Sequence, residues 1–213
     1  MRIYSKMKQL ARHTRLLEQY PIISDQIKRP ALSVVLREFE KTLEVDGDIV
    51  ELGCYIGTTS LFIKRILDQS GSAKQFYAYD SFEGLPDKTA QDNSGAGEQF
   101  KGGELNVSKK QFLNEFHKAN LKPPITIKAW FKDLRNDQLP EQISYAFLDG
   151  DFYESILDSL RLVWPRLSEG GIITIDDYGR DALPGPERAV RDFFQDKQIS
   201  LHHEHNIAII RRA

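Results

Sequence analysis

Apolar positions along the chain fall into two alternating rhythms. Asp48–Leu52, Gln75–Tyr79, Ile125–Lys128, Ile143–Leu148 and Gly171–Ile175 are short runs rich in β-branched and aromatic residues, and they predict five strands. Between them the apolar residues return every three or four positions, which predicts helices over Thr58–Leu67, Ser108–Ala119, Tyr153–Leu167 and Pro186–Phe194. Ala31–Leu43 is a further helix, with Leu32, Val35, Leu36 and Phe39 on one face and Pro30 at its first turn. Ile199–His203 and Ile207–Arg211 are expected to close the sheet as an antiparallel pair. Strands separated by helical segments predict an α/β, Rossmann-like fold, a mostly parallel seven-stranded sheet with helices on both faces.

Two regions stand outside this rhythm. Ile3, Met7, Leu10, Thr14 and Leu17 fall at helical spacing near the start, in a stretch carrying Arg2, Lys6, Lys8, Arg12 and Arg15. This is faintly transit-like, but it has no apolar secretory core and reads as an amphipathic packing or dimer helix. Residues 1–45 are therefore expected to be an N-terminal helical extension and 46–213 the α/β domain. Phe82–Val107 has five glycines and no clear period; loops this long in compact domains are usually lids, binding loops or disordered, and a substrate lid is expected rather than a disordered insertion.

Composition narrows the function by exclusion. The 213 residues carry 29 basic and 31 acidic side chains, a net charge of −2, so no overall basic field favours nucleic acid or a membrane surface. The single cysteine excludes an intramolecular disulfide and a cysteine-rich zinc cage. No stretch approaches the roughly 18 apolar residues of a membrane helix. A cytoplasmic protein is expected.

The first predicted strand runs into Ile49–Gly57, IVELGCYIG, and a helix opens on Thr58. Gly53 and Gly57 are four apart, but Tyr55 stands where a dinucleotide fingerprint needs a middle glycine for the pyrophosphate. A cofactor without phosphates fits better. Asp80, followed by Ser81 at the tip of the second strand, is placed to accept both ribose hydroxyls. Glu51 offers a second carboxylate to a cationic group, while Cys54 contributes backbone rather than thiol. Trp130, just beyond the third strand, is placed either to stack on adenine or to pack at the rim. A nucleoside joined to positive charge, without phosphate, describes S-adenosylmethionine.

Two further strands end abruptly in acids, LDGD at Leu148–Asp151 and IITIDDY at Ile172–Tyr178. Asp149 and Asp176 are 27 residues apart, enough for one helix between parallel neighbours, whose tips then lie about 4.8 Å apart. Carboxylates gathered there, without cysteine or histidine, suit a hard octahedral cation such as Mg²⁺. Asp149 is also the candidate catalytic base and another residue of the cofactor site. Asp151 is an alternative base or the cap of the following helix. Tyr153 and Tyr178 flank the acids as pocket or core residues. His202, His203 and His205 would alternate faces on the terminal hairpin and read as a solvated edge; His13 and His117 read as surface residues.

Taken in order, VELGCYIGTTS, YAYDSFEGLP, KAWF, FLDGDFYES, LSEGGIITIDDYG and PGPERAVRDFF resemble the macrocin-type (TylF-like) O-methyltransferase family from about Asp48 to Asp196. The resemblance implies a class I S-adenosylmethionine-dependent fold and a magnesium ion. It also implies methylation of a hydroxyl on the sugar of a natural product or glycoconjugate. By motif, the metal ligands carried over are Asp149, Asp176 and Asp177. A catechol-type small-molecule O-methyltransferase would use the same chelating chemistry. The D-x-D of Asp149–Asp151 also suits a haloacid-dehalogenase-like phosphatase, but that fold carries the motif on its first strand and here the fourth bears it. A sugar-nucleotide glycosyltransferase leaves the glycine turn unexplained. A non-catalytic cofactor-binding module leaves the two sets of acids unexplained. A homodimer is suggested by the apolar stripe near the N-terminus.

Overall fold

A computed structural model describes residues 12–97 and 99–212 of the chain. Ile3, Met7 and Leu10 of the expected amphipathic helix lie outside the described residues. Residues 12–19 are helical (α1), and its Leu16 and Leu17 are buried in the chain's own core. After α1 come α2 (Arg29–Glu40), β1 (Asp48–Leu52), α3 (Thr58–Ser70), β2 (Phe76–Asp80), α4 (Lys109–Lys118) and β3 (Ile125–Lys128). The second half contains β4 (Ile143–Leu148), α5 (Tyr153–Val163), β5 (Leu167–Ile175), α6 (Gly185–Phe194), β6 (Ser200–Glu204) and β7 (Ile207–Arg211).

The seven strands form one sheet in the order β3-β2-β1-β4-β5-β7-β6. The first five are mutually parallel, and β7 runs antiparallel to both β5 and β6. Every residue of β4 is buried, as expected for a central parallel strand covered on both faces. The chain order reverses between β1 and β4, and ligands bind in such a crevice at the carboxyl ends of the strands.

Each face of the sheet has its own apolar core. On one face Ile156, Leu160 and Val163 of α5 and Val190 and Phe194 of α6 pack on Val50, Leu148 and Ile173. On the other, Leu16 of α1, Leu32, Val35, Leu36 and Phe39 of α2 and Ile63 of α3 pack on Ile49, Tyr145 and Ile172. Tyr145 ties this second face together: its ring lies 5.2 Å from that of Phe39, and its hydroxyl donates to the Val35 carbonyl at 3.0 Å. An ionic network pins α2 to the terminal hairpin. Buried Glu38 meets Arg37, Lys41 and Arg211, and Arg37 also reaches Glu204.

The structure corrects the sequence reading at several points. α5 stops at Val163 rather than running to Leu167, because Pro165 has no N–H to continue the ladder and Trp164–Arg166 tightens into a 3-10 turn. β5 begins at Leu167, four residues early, and a register shift against β4 absorbs its polar start. His13 is not at the surface: it is 3% exposed, with Nδ1 2.8 Å from Glu40 Oε2, joining α1 to the end of α2. His117, His202, His203 and His205 are exposed. No helix among the described residues is long and apolar enough to cross a membrane.

Candidate active site

The glycine turn between β1 and α3 is held from beneath and from the side. Gly53 has φ +90°, and a Cβ there would overlap the Asp149 carbonyl oxygen. Glycine is required both by the left-handed backbone and by the contact between the ends of β1 and β4. Gly57 has φ +93°, and a Cβ would stand 2.9 Å from the Phe112 ring of α4. Tyr55 is itself left-handed at φ 45° and lines the cleft above the turn.

Asp80 clamps this turn. Its Oδ2 accepts the Cys54 N–H at 2.9 Å and the Tyr55 N–H at 3.0 Å, and its Oδ1 accepts the Phe82 N–H at 2.7 Å. These bonds use three of the roughly four acceptor directions of a carboxylate. The sequence placed both ribose hydroxyls on Asp80; by this count one acceptor direction remains free. Ser81 also lines the cleft, but its hydroxyl donates to the Gly84 carbonyl and accepts the Glu83 N–H, both at 3.1 Å.

Glu51 lies below the turn rather than in the cleft wall. It is 1% exposed and paired with the Ser60 hydroxyl of α3. Burial, joined by the Asp80 charge, pushes its carboxyl up to about 8 against the opposing Ser60 hydrogen bond. A carboxyl in this state is largely neutral at pH 7, so Glu51 supplies packing and a hydrogen bond there, not the charge expected for a cationic ligand. Thr58, opening α3, is buried and its hydroxyl has no hydrogen-bond partner among the described residues.

Above the strand ends lies a cleft of about 800 Å³, lined by Gly53, Tyr55, Asp80, Ser81, Trp130 and Asp149. Of the ten cofactor residues expected from the sequence, these six line the cleft; Gly57 and Cys54 shape the turn behind it, Glu51 lies beneath and Thr58 opens α3. Residues 82–107 supply a further wall through Glu83–Asp87, Gly103 and Leu105. That segment is knotted by backbone bonds from Leu85 to Glu104 and from Gly103 to Leu85.

A second cavity of about 480 Å³ opens beside the first, over the end of β5. Asp176, Asp177 and Arg180 form one wall, with Ile27, Pro30 and Phe100 among the residues opposite. Gln26 borders both spaces. Tyr153 and Tyr178 line neither: Tyr153 packs in the core with its hydroxyl toward Asp192, and Tyr178 lies against His203.

The acids at the ends of β4 and β5 are held as like charges out of water. Burial, followed by the charges of Asp176, Asp151 and Asp177, drives the Asp149 carboxyl well above the ordinary range. Asp151 is raised by burial and by Asp177 and Asp176, and Asp176 by burial and Asp177. Burial also raises Asp177, against the pull of Arg180, which forms an ion pair with it. The three expected metal ligands sit at the ends of the neighbouring strands β4 and β5 and line two adjoining spaces. Among the described residues no group of three or more His, Cys, Asp or Glu side chains is disposed to hold a metal ion. Asp149 faces the first cleft, Asp176 and Asp177 face the second cavity, and Arg180 already neutralises Asp177. The donor chemistry suits a hard divalent cation, which would offset the burial that raises all four carboxyls and the like charge that adds to it at Asp149, Asp151 and Asp176.

Asp151 does not cap α5. The amino-terminal residue of that helix is instead served by Asp92, whose Oδ1 accepts the Tyr153 N–H at 2.7 Å. Nothing in the local sequence signals this, since the partner sits 61 residues away. Arg180 was likewise passed over, although a basic residue three positions beyond the DD pair was a readable hint.

Comparison with known proteins places this site in context. A family model described as Macrocin-O-methyltransferase (TylF) matches residues 30–208. An 8-demethyl-8-(2,3-dimethoxy-alpha-L-rhamnosyl)-tetracenomycin-C 4'-O-methyltransferase of Streptomyces olivaceus is 35% identical over 156 residues, covering 70% of this chain and 58% of the relative. A demethyldecarbamoylnovobiocin O-methyltransferase of Streptomyces niveus is 29% identical over 63% of this chain and 53% of its own length. The chain thus spans little more than half of these relatives. The solved structure of the O-methyltransferase NovP superposes with a TM-score of 0.74 at 25% identity, covering 85% of this chain and 79% of that one.

Proposed function

The chain belongs to the macrocin-O-methyltransferase (TylF) family, and on that premise we propose that it moves a methyl group from S-adenosylmethionine to a hydroxyl of a sugar or glycosylated natural product. The carrying observation is the adjacency of two unlike spaces: a large cleft over the glycine turn, with Asp149 in its wall, and a cavity walled by Asp176 and Asp177, the two sharing Gln26. The first suits the donor and the second the acceptor.

In this reading the backbone of Gly53, Cys54, Tyr55 and Gly57 shapes the floor under the methionine end of the donor. Thr58 brings an unpaired hydroxyl to the start of α3, where backbone N–H groups favour a carboxylate. Asp80 takes one ribose hydroxyl with its remaining acceptor direction, and Trp130 stacks on adenine. The wall formed by residues 83–87 and 103–105 excludes water from the donor.

Asp149, Asp176 and Asp177 would hold Mg²⁺, which supplies Lewis acidity and a fixed direction to vicinal substrate oxygens when bound. Asp149 is the general base of this reading. A buried carboxylate with acidic neighbours is more basic once ionised than a solvated one, which suits proton removal from a sugar hydroxyl. Removing the proton in place leaves the oxygen aimed at the donor methyl, and orientation contributes much of the rate.

Labelled S-adenosylmethionine, offered with a panel of glycosides and catechols with and without EDTA, tests this reading. Chelator-sensitive labelling of a glycoside is expected. Calorimetry showing no affinity for S-adenosylmethionine or its demethylated product would remove the methyltransferase assignment. Full turnover in excess EDTA would remove the metal, and selective labelling of catechols would move the acceptor class.

A further inference from the structure

Aspartate is a favoured helix cap, and Asp151 stands one residue before the Phe152 cap position of α5. It does not serve there. Asp151 turns away on a left-handed backbone, φ 58°, makes no hydrogen bond among the described residues, and lines the donor cleft beside Asp149. Its vacancy at the helix is filled by Asp92, which is 3% exposed and belongs to the 82–107 segment.

Asp92 is built into this place from three sides. Its Oδ1 accepts Tyr153 N–H, while its Oδ2 accepts the Thr89 N–H and the Thr89 hydroxyl, both at 2.9 Å. Arg188 of α6 donates to the carbonyls of Gln91 and Asn93 on either side. Gly185, opening α6, leaves room for it: a Cβ there would overlap Asp92 Oδ1. The negative charge also meets the positive end of the α5 dipole.

We propose that Asp92 is a positioning residue for methyl transfer: by capping α5 from the 82–107 segment, it leaves Asp151 free to face the reactants from the cleft wall. The inference rests on the methyltransferase reading. Two carboxylates compete for one helix terminus, and the buried, triply bonded one holds it. Without Asp92 the nearer aspartate swings onto its own helix and withdraws from the cleft. The segment that walls the donor and the carboxylate that faces it are thereby set by a single side chain.

A double-mutant cycle tests this, with steady-state turnover of S-adenosylmethionine on an acceptor that the wild-type chain methylates. Asp92→Ala and Asp151→Asn should each lower kcat roughly ten- to a hundredfold, as loss of precise placement does. The double variant should fall no further than the worse single one, because both changes remove the same group from the cleft. Asp92→Asn keeps an acceptor for Tyr153 N–H and should recover much of the kcat lost in Asp92→Ala. Losses that multiply in the double variant would overturn the proposal, as would an Asp92→Ala change confined to KM or melting temperature. Amide exchange at Tyr153, read by NMR, needs no turnover. It should be unchanged in Asp151→Ala, faster in Asp92→Ala, and faster again when both are alanine, since alanine cannot cap in place of Asp92. Acceleration in Asp151→Ala alone overturns the cap assignment. A wild-type chain without affinity for S-adenosylhomocysteine, but with the expected exchange pattern, would instead count against the methyltransferase reading.

Discussion

The two sides of the strand-order reversal are built on opposite principles. Toward β2, the turn over Gly53–Gly57 satisfies itself: the Asp80 carboxylate meets three backbone N–H groups, and each glycine fills a place closed to a side chain. Toward β5, four aspartates crowd together with one arginine among them; burial raises the proton affinity of all four, and like charge adds to it at Asp149, Asp151 and Asp176. The first side is complete without a ligand. The second is frustrated, and unpaired buried charge is what a bound cation or proton relieves. Under the proposed function, the side that recognises a constant donor favours rigidity, while the side that ionises a hydroxyl favours stored electrostatic tension.

The sharpest way to break this contrast is Gly53→Ala, which forces the ends of β1 and β4 apart and strikes both sides together. A loss of about 4 kcal/mol or more is expected, read as a large fall in melting temperature or failure to fold. Next comes pH. The unfolded chain releases the Glu51 proton near the usual 4.5, whereas the folded chain holds it to about 8. Between these values the folded state binds more protons, so stability is full below pH 4.5 and declines as pH rises toward 8, by a few kcal/mol at most, roughly. Melting curves should show this fall, and Glu51→Gln should flatten it.

Trp130→Ala sharpens the donor side alone. Calorimetry should show S-adenosylmethionine bound about tenfold more weakly, as loss of one aromatic stacking partner implies, with cation affinity unchanged. Asp176→Asn sharpens the acid side. Relief of like charge should stabilise the cation-free chain by about 1 kcal/mol, while Mg²⁺ raises the melting temperature less than in wild type. The smallest effect belongs to Arg180→Gln. It removes a partly exposed counter-charge and should destabilise the cation-free chain by about 1 kcal/mol or less.

How far the sequence reaches follows the same divide between local and distant causes. β1, β4 and β7 were legible at their observed bounds because a strand covered on both faces is a short apolar run, and the half-exposed edge strand β3 because Ile125, Thr126 and Ile127 are β-branched. The strand ends also announced their acids, since Asp80, Asp149 and Asp176 each follow such a run. What escaped depended on partners far along the chain. His13 is buried because Glu40 waits for it 27 residues later, and Asp92 caps α5 across 61. The Asp151 cap was a sound local inference overtaken by a tertiary competitor. Likewise, the donor set of Asp149, Asp176 and Asp177 was readable as chemistry, but not the division of their side chains between two cavities or the Arg180 pairing.

The overlap that a side chain at Gly53 would make with the Asp149 carbonyl has an engineering consequence. The spacing between the donor floor and the acid row is dictated by main-chain contact, so it leaves no slack for resizing. If the proposed function holds, a variant meant to admit a bulkier acceptor must be sought instead in the removable walls, at Gln26, Ile27 and Phe100 and along the 83–105 stretch. The reacting geometry would then travel unchanged from one acceptor to the next.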